Sequence, residues 1–144
     1  MIKLQELKIK VAKGNYAEIL DLSKELIKRT NYNLRMLLVS FGEHGSIIIT
    51  RKHAVHVSAP KIELGCSSGA GDSGLANVIV VSKRDRINLK KDLLSPELEM
   101  LATAFNYAAS ATAMLPGNEI AGSEQVEALQ KARSVRSSVY TMII

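Results

Sequence analysis

Gly69-Ala70-Gly71-Asp72-Ser73 is where this sequence places the residue types best suited to chemistry. Small residues precede an acid and lead into the apolar segment Leu75–Val81. Unhindered backbone N–H groups at a helix start can converge on one anion there, and the helix dipole adds to the attraction. Asp72 in the same turn would sit beside a bound phosphate, where its carboxylate could take the proton of an attacking hydroxyl. The same five residues also suit a tight turn in which Asp72 is an ordinary helix N-cap. The pentapeptide alone does not separate these two roles. It is not a Walker-type loop, since no Gly-Lys-Ser/Thr follows, and it lacks the Gly-x-Gly-x-x-Gly spacing of a dinucleotide site.

The flanking elements must decide how the loop is held. Asn15 and Glu18 have the spacing of a capping box, and Ile19, Leu22, Leu26 and Ile27 recur at helical period, which predicts an amphipathic helix to about Arg29. Met36–Val39 and Ile47–Thr50 are apolar runs of strand length, separated by the glycine-bearing turn Ser40–Gly45. Ala54–Val57 alternates apolar and polar residues, so this stretch reads as a β-meander edge. The segment Leu75–Val81 reads as a buried helix. Ser95-Pro96 supplies an N-cap and an N1 proline for an Ala-rich helix from about Glu97 to Met114, stopped by Pro116-Gly117. A further helix begins at Ser123-Glu124 with Val126 and Leu129 inward, and Val139–Ile144 is strand-like. Helices alternating with apolar strands predict an α/β sandwich with mainly parallel pairing. No repeat or linker interrupts the chain, so residues 1–144 read as a single domain.

A chain of 144 residues can bury a core without staples, and 47% hydrophobic against 23% charged residues is an ordinary globular balance. One cysteine, Cys66, excludes an internal disulfide framework and points to a reducing, cytoplasmic setting. A small buried thiol is its expected state. The apolar runs are too short to span a bilayer. The net charge of +5 is dispersed, with 4% aromatic content, so neither a nucleic acid nor a membrane is the expected partner. His44, His53 and His56 lack metal-ligand spacing with one another or with Cys66, so no side-chain metal cluster is expected.

Four blocks, in order, resemble the PfkB/ribokinase family of carbohydrate kinases. Leu4-Gln5-Glu6-Leu7 is similar to the end of the family's Lys-Pro-Asn-x-x-Glu-Leu segment, and Val39-Ser40-Phe41-Gly42-Glu43-His44-Gly45 to its Val-Ser-Leu-Gly-x-x-Gly turn. Gly69–Ser73 matches the signature loop, and Ala104-Phe105-Asn106-Tyr107-Ala108 through Pro116-Gly117 resembles the Ala-x-Asn-Ala helix and its following turn. The stretch Ser110–Ala121 looks most like the phosphosugar branch, which includes 1-phosphofructokinase and tagatose-6-phosphate kinase.

The resemblance implies a ribokinase-like, Rossmann-like three-layer α/β/α fold, of which this chain is the C-terminal, nucleotide-binding portion. It implies ATP-dependent phosphorylation of a sugar phosphate, with ATP and Mg2+ as cofactors. By resemblance Asp72 is the catalytic base, and the N–H groups of Gly69, Ala70, Gly71 and Asp72 form the anion hole. Ser40, Phe41, Gly42, Glu43, His44, Gly45, Gly71 and Asn106 line ATP, with the absent side chains of Gly42 and Gly45 admitting the nucleotide. Carbonyl oxygens around Cys66, Ser68 and Leu115–Gly117 fall where some members hold a monovalent cation. Glu6 matches the acidic residue tied to magnesium and phosphate handling, although Lys3 occupies the asparagine position; a solvent-facing role suits Glu6 equally. After the loop, Gly74 replaces a bulky residue and Asn77 a glycine, and Gly74 should loosen the first helical turn. Family members are about twice as long, and their N-terminal part carries the sugar contacts and lid. A truncated chain with an open sheet edge is expected to self-associate or to pair with a separate N-terminal half. A truncated paralogue that binds nucleotide without kinase activity is the alternative function.

Overall fold

The computed structural model describes residues 4–142; Lys3 and the last two residues of the strand-like C-terminal segment lie outside them. In chain order the elements are α1 (Leu4–Ala12), α2 (Ala17–Arg29), β1 (Met36–Ser40), a 3-10 turn (Gly42–His44), β2 (Ser46–Thr50), β3 (His53–Val57), α3 (Ala70–Arg84), α4 (Ser95–Ala113), α5 (Ser123–Ala132) and β4 (Ser137–Thr141). The strands form one sheet in the order β1-β2-β3-β4.

Alternation along each strand sends residues to opposite faces, and each face buries its own cluster. Ile48, Val55 and Val57 pack with Val78 and Val81 of α3 and Leu98, Leu101 and Phe105 of α4. Ile47, Ile49 and Ala54 pack on the other side with Leu7 and Val11 of α1 and Tyr16 and Ile19 beside and within α2. The result is the expected three-layer α/β/α arrangement. α1 was not legible as an element, because only Leu7 and Val11, four residues apart, mark its buried face among lysines.

The β-meander expected through Ala54–Val57 forms, but the mainly parallel pairing expected of the sheet is wrong: β1–β2, β2–β3 and β3–β4 are all antiparallel. Parallel neighbours need a crossover long enough to return the chain to the same end. Here β1, β2 and β3 are joined by the Phe41–Gly45 turn and by Arg51-Lys52 alone, which forces a meander. The helices α3 to α5 then follow between β3 and β4, and the chain enters β4 at the end of the sheet where it left β3, pairing Val57 with Ser137.

Several helix details also differ from expectation. The Asn15/Glu18 capping box does not form, because Glu18 is drawn to Lys10 at 2.7 Å while Asn15 Oδ1 accepts only a 3.4 Å bond from the Ala17 N–H. Leu22 and Leu26 lie on the outer flank of α2, where Ser23 takes a buried position by donating to the Ile19 carbonyl at 2.6 Å. α4 starts one residue early, after Leu94, whose N–H donates to Glu97 Oε1 at 3.0 Å. α3 is not buried all round: Val78 and Val81 face the core, but Leu75, Ile79 and Val80 are exposed.

Gly74 and Asn77 tie α3 to α4 rather than loosening it. A Cβ on Gly74 would stand 2.7 Å from the Phe105 ring, and Asn77 Nδ2 donates to the Ala104 carbonyl at 2.9 Å. Below them a buried chain runs from Thr112 Oγ1, which donates to Ser73 Oγ at 2.8 Å, to the Ala121 N–H, which donates to Thr112 Oγ1 at 3.1 Å. The first turn of α3 is thereby fixed against α4 and the α4–α5 connection.

Candidate phosphate-binding site

The loop Gly69–Ser73 opens α3, with Gly69 at φ 78° as the residue before the helix. Left-handed backbone of this kind favours glycine. The first helical N–H groups have no partner one turn back, which is what makes a helix start attractive to anions. The Ala70 N–H turns aside to the Ser67 carbonyl at 3.2 Å, and Ser73 bonds to Gly69 at 2.9 Å. Among the described residues nothing accepts from the N–H groups of Gly69, Gly71 or Asp72. Of the four donors expected to form an anion hole, three are therefore without an internal partner among the described residues. A Cβ at Gly69 or Gly71 would meet open space, so this surface is free for a ligand's approach. The Asp72 side chain is exposed, and no hydrogen bond or ion pair engages its carboxylate among the described residues.

A cavity of about 90 Å³ lies against this loop, lined by Ala70 and Gly71 on one side and by Ser40, Gly42 and Gly45 on the other. Asn106, with its α4 neighbours Phe105, Ala109 and Ser110, forms the floor together with Ala59. The fold thus brings together three stretches far apart in sequence. The volume suits a phosphate-sized group and is well below the roughly 300–1,000 Å³ of pockets that enclose a whole small molecule.

Not every expected nucleotide contact faces this cavity. Phe41 is buried in the α1/α2-side cluster, and its N–H donates to the Gly45 carbonyl at 2.7 Å. Glu43 is exposed beside His44 at 3.6 Å. Gly45 does not leave room for a ligand: with φ 87° and ψ −150°, it lies against the chain leaving β3, where a Cβ would overlap the Val57 carbonyl oxygen and stand 2.8 Å from Ser58 Cα. Gly42, by contrast, has open space where a side chain would be. Asn106 is buried, and its Nδ2 donates to the Val57 and Ser58 carbonyls at 2.7 and 3.2 Å. Its amide is thereby committed to holding the end of β3. Glu6 sits exposed on α1, on the other side of the sheet from α3, and does not line the cavity.

Of the carbonyls expected to hold a monovalent cation, around Cys66, Ser68 and Leu115–Gly117, that of Leu115 takes part in ending α4. The N–H groups of Gly65 and Cys66 donate to the Ala113 carbonyl at 2.8 and 3.1 Å, and Cys66 also donates to Leu115 at 3.0 Å. Gly65 is required there, since a Cβ would come within 2.6 Å of the Met114 carbonyl oxygen. Cys66 is half-buried rather than enclosed.

Sequence reasoning missed His56. Its ring is buried at 8% exposure beside Tyr16, and Nε2 donates to the His44 carbonyl at 2.8 Å, tethering the 3-10 turn. Its alternation within β3 was the available signal. Burial pushes the His56 imidazole below its ordinary value; the bond to the His44 carbonyl opposes this, and the His44 ring adds to it. The native state therefore favours neutral His56 more than the unfolded chain does. That stabilisation is complete above the unfolded value of about 6.5 and is lost as pH falls toward the native one. Urea midpoints are expected to drop between neutral pH and pH 5, with a smaller drop in His56→Phe; equal slopes in the two proteins would refute this assignment.

No protein-family model and no curated protein sequence matches the chain. Solved structures do. A protein described as a phosphofructokinase from Staphylococcus aureus aligns with 88% of this chain at a TM-score of 0.65 and 19% identity. Phosphofructokinase-2 from Escherichia coli, solved in complex with potassium, aligns with 79% at 0.63 and 16% identity. Ribokinase from Thermotoga maritima aligns with 89% at 0.62 and 17% identity. The fold is that of the ribokinase-like kinases. The chain spans 36%, 33% and 40% of those three structures, about a third of their length.

Proposed function

We propose that this chain is the C-terminal, nucleotide-binding portion of an ATP-dependent phosphosugar kinase of the phosphofructokinase or tagatose-6-phosphate kinase type. The observation that carries it is that the helix-start loop with three unpartnered N–H groups, at Gly69, Gly71 and Asp72, lies across from the Ser40–Gly45 turn at a phosphate-sized cavity, which the loop lines through Ala70 and Gly71. Backbone donors fixed at a helix start stabilise charge spread over a moving phosphoryl group without reorganising. The unengaged Asp72 carboxylate is the candidate base. It would take the proton of a sugar hydroxyl while that oxygen bonds to the γ-phosphorus and the bond to the bridging β,γ-oxygen breaks, releasing ADP.

Mg2+ fits this site only as a passenger of the nucleotide. Among the described residues no three His, Cys, Asp or Glu side chains meet in a metal-holding group, and Mg2+ commonly arrives held by substrate phosphates. Bound that way, it would neutralise phosphate charge. A monovalent cation would be held by carbonyls around Cys66, Ser68 and Leu115–Gly117; Leu115 already accepts the Cys66 N–H, but a carbonyl keeps a second lone pair. Glu6, exposed on α1 across the sheet from α3, is assigned no metal contact in this proposal.

Proximity supplies much of the acceleration in phosphoryl transfer. Asp72 opens to solvent and does not line the cavity, so the sugar would be aligned by a further N-terminal part, preceding this chain or carried separately. The same exposure favours the second reading, in which this chain alone binds nucleotide without turnover. The setting we propose is cytoplasmic, where ATP is available; among the described residues no helix is long and apolar enough to cross a membrane.

ADP release with ATP-Mg and fructose 1-phosphate, fructose 6-phosphate or tagatose 6-phosphate separates these readings. Turnover with one of them, lowered about 100- to 10,000-fold by Asp72→Asn with ATP binding retained, is the kinase result. Binding without turnover favours the second reading, and absence of ATP binding removes both.

A further inference from the structure

Basic residues dispersed along the sequence are gathered by the fold at one end. α2 stops at Arg29, β2 turns into β3 through Arg51-Lys52, and α3 stops at Arg84 before the loop to α4. These three places meet. Met36, the residue after Arg35, pairs with Thr50, the residue before Arg51. The Arg51 guanidinium lies 4.9 Å over the Tyr32 ring, and Lys52 Nζ stands 3.5 Å from Asp92. The acids in these segments are already engaged, Glu25 with Arg29, Asp85 with Arg84 and Asp92 with Lys52. Lys28, Arg35, Lys83, Arg86, Lys90 and Lys91 are exposed and form no ion pair among the described residues. α3 is 15 residues long, so this end lies about 20 Å from Asp72, where a further N-terminal part would align a sugar. Nor is it a cut surface. A cut uncovers apolar side chains, whereas covering unpaired cations would carry the full desolvation cost of each ion.

We propose that this end binds single-stranded nucleic acid through its phosphate backbone. Exposed, unpaired Lys and Arg on three neighbouring segments suit a ligand whose negative charges repeat along a flexible strand. Tyr32 favours a single strand over a duplex. Its ring is exposed among these cations with Arg51 stacked on it, and a base can lie against such a pair only when it is unpaired and free to turn outward. A duplex would leave that ring unused. The sequence alone hides this arrangement, because Tyr32 and Arg51 stand on different elements and come together only in the folded chain.

Fluorescence anisotropy of a labelled oligouridine of about twelve nucleotides is expected to show saturable binding at about 50 mM salt. Its affinity should fall with a log–log salt slope of about −3, as contact with about four phosphates gives. Combining Arg86→Glu, Lys90→Glu and Lys91→Glu should weaken binding about tenfold or more. Lys61→Glu, Lys131→Glu and Arg136→Glu together change the net charge equally, near the end of the sheet where Val57 pairs with Ser137, and should shift it by no more than about threefold. Tyr32→Ala should cost about five- to tenfold at an unchanged slope. Circular dichroism checks that each variant folds; all the altered side chains are exposed. No binding, equal losses in the two triple variants, or no loss in Tyr32→Ala overturns the proposal. So does tighter binding to a duplex or to phosphatidylserine vesicles, or displacement by ATP, which would put the strand in the phosphate cavity. The assay reads the strand directly and stands whether or not the chain phosphorylates a sugar.

Discussion

Replacing Gly45 with alanine is expected to lower stability by about 4 kcal/mol, a large share of the roughly 5–15 kcal/mol that holds a domain folded. Two costs combine. The backbone at φ 87°, ψ −150° belongs to a region that is nearly confined to glycine, worth about 1–3 kcal/mol. The new methyl would also overlap the Val57 carbonyl and press on Ser58 and Ala59, so the Ser40–Gly45 turn must lift from the end of β3. Gly69→Ala is the control: its φ of 78° is also unfavourable, yet nothing stands where the Cβ would be, and about 1–2 kcal/mol is expected. Urea denaturation at constant m reads both. Equal losses at the two glycines would show that the close approach at Gly45 does not matter.

Asn106→Leu is the second large effect, about 2–3 kcal/mol. The substitution keeps the volume but removes the donors to the Val57 and Ser58 carbonyls. Val57 is fully buried, so its carbonyl cannot turn to water for a replacement. Because Gly45 packs against the same carbonyl, Asn106 and Gly45 hold one junction from two sides. Their effects should be less than additive, since once the turn has lifted, the second change has less to break. A double variant whose loss equals the sum of the singles would contradict that coupling.

Glycine spacing and apolar periodicity are local signals, and they made the helix-start loop at Gly69–Ser73 and the α/β class legible; the three-layer architecture was implied by the family resemblance. Strand direction was legible only for the meander of β1 to β3, not for the sheet as a whole. Alternating helices and strands suggested parallel pairing, but direction depends on connection length, and Arg51-Lys52 between β2 and β3 can only make a hairpin. Capping at Asn15 failed for a similar reason: Glu18 has an attractive partner in Lys10 eight residues earlier, which no local spacing rule reports. At the site, residue types suggested ligand contacts where the fold uses some of them internally. Gly45 accommodates a carbonyl of its own chain, Asn106 spends its amide on β3, and Phe41 fills the core. Gly42, Gly69 and Gly71 keep open space around them, which only the folded chain reveals.

The central claim is that Gly69, Gly71 and Asp72 bind a phosphate across from the Ser40–Gly45 turn. A two-dimensional amide spectrum of the 15N-labelled chain titrated with ATP-Mg tests it residue by residue. Saturable shifts at Gly42, Gly69, Gly71 and Asp72 on one isotherm are the predicted result. No shift, or shifts confined to the groove between α3 and α5 around Val80, Ile120 and Gln130, would contradict it.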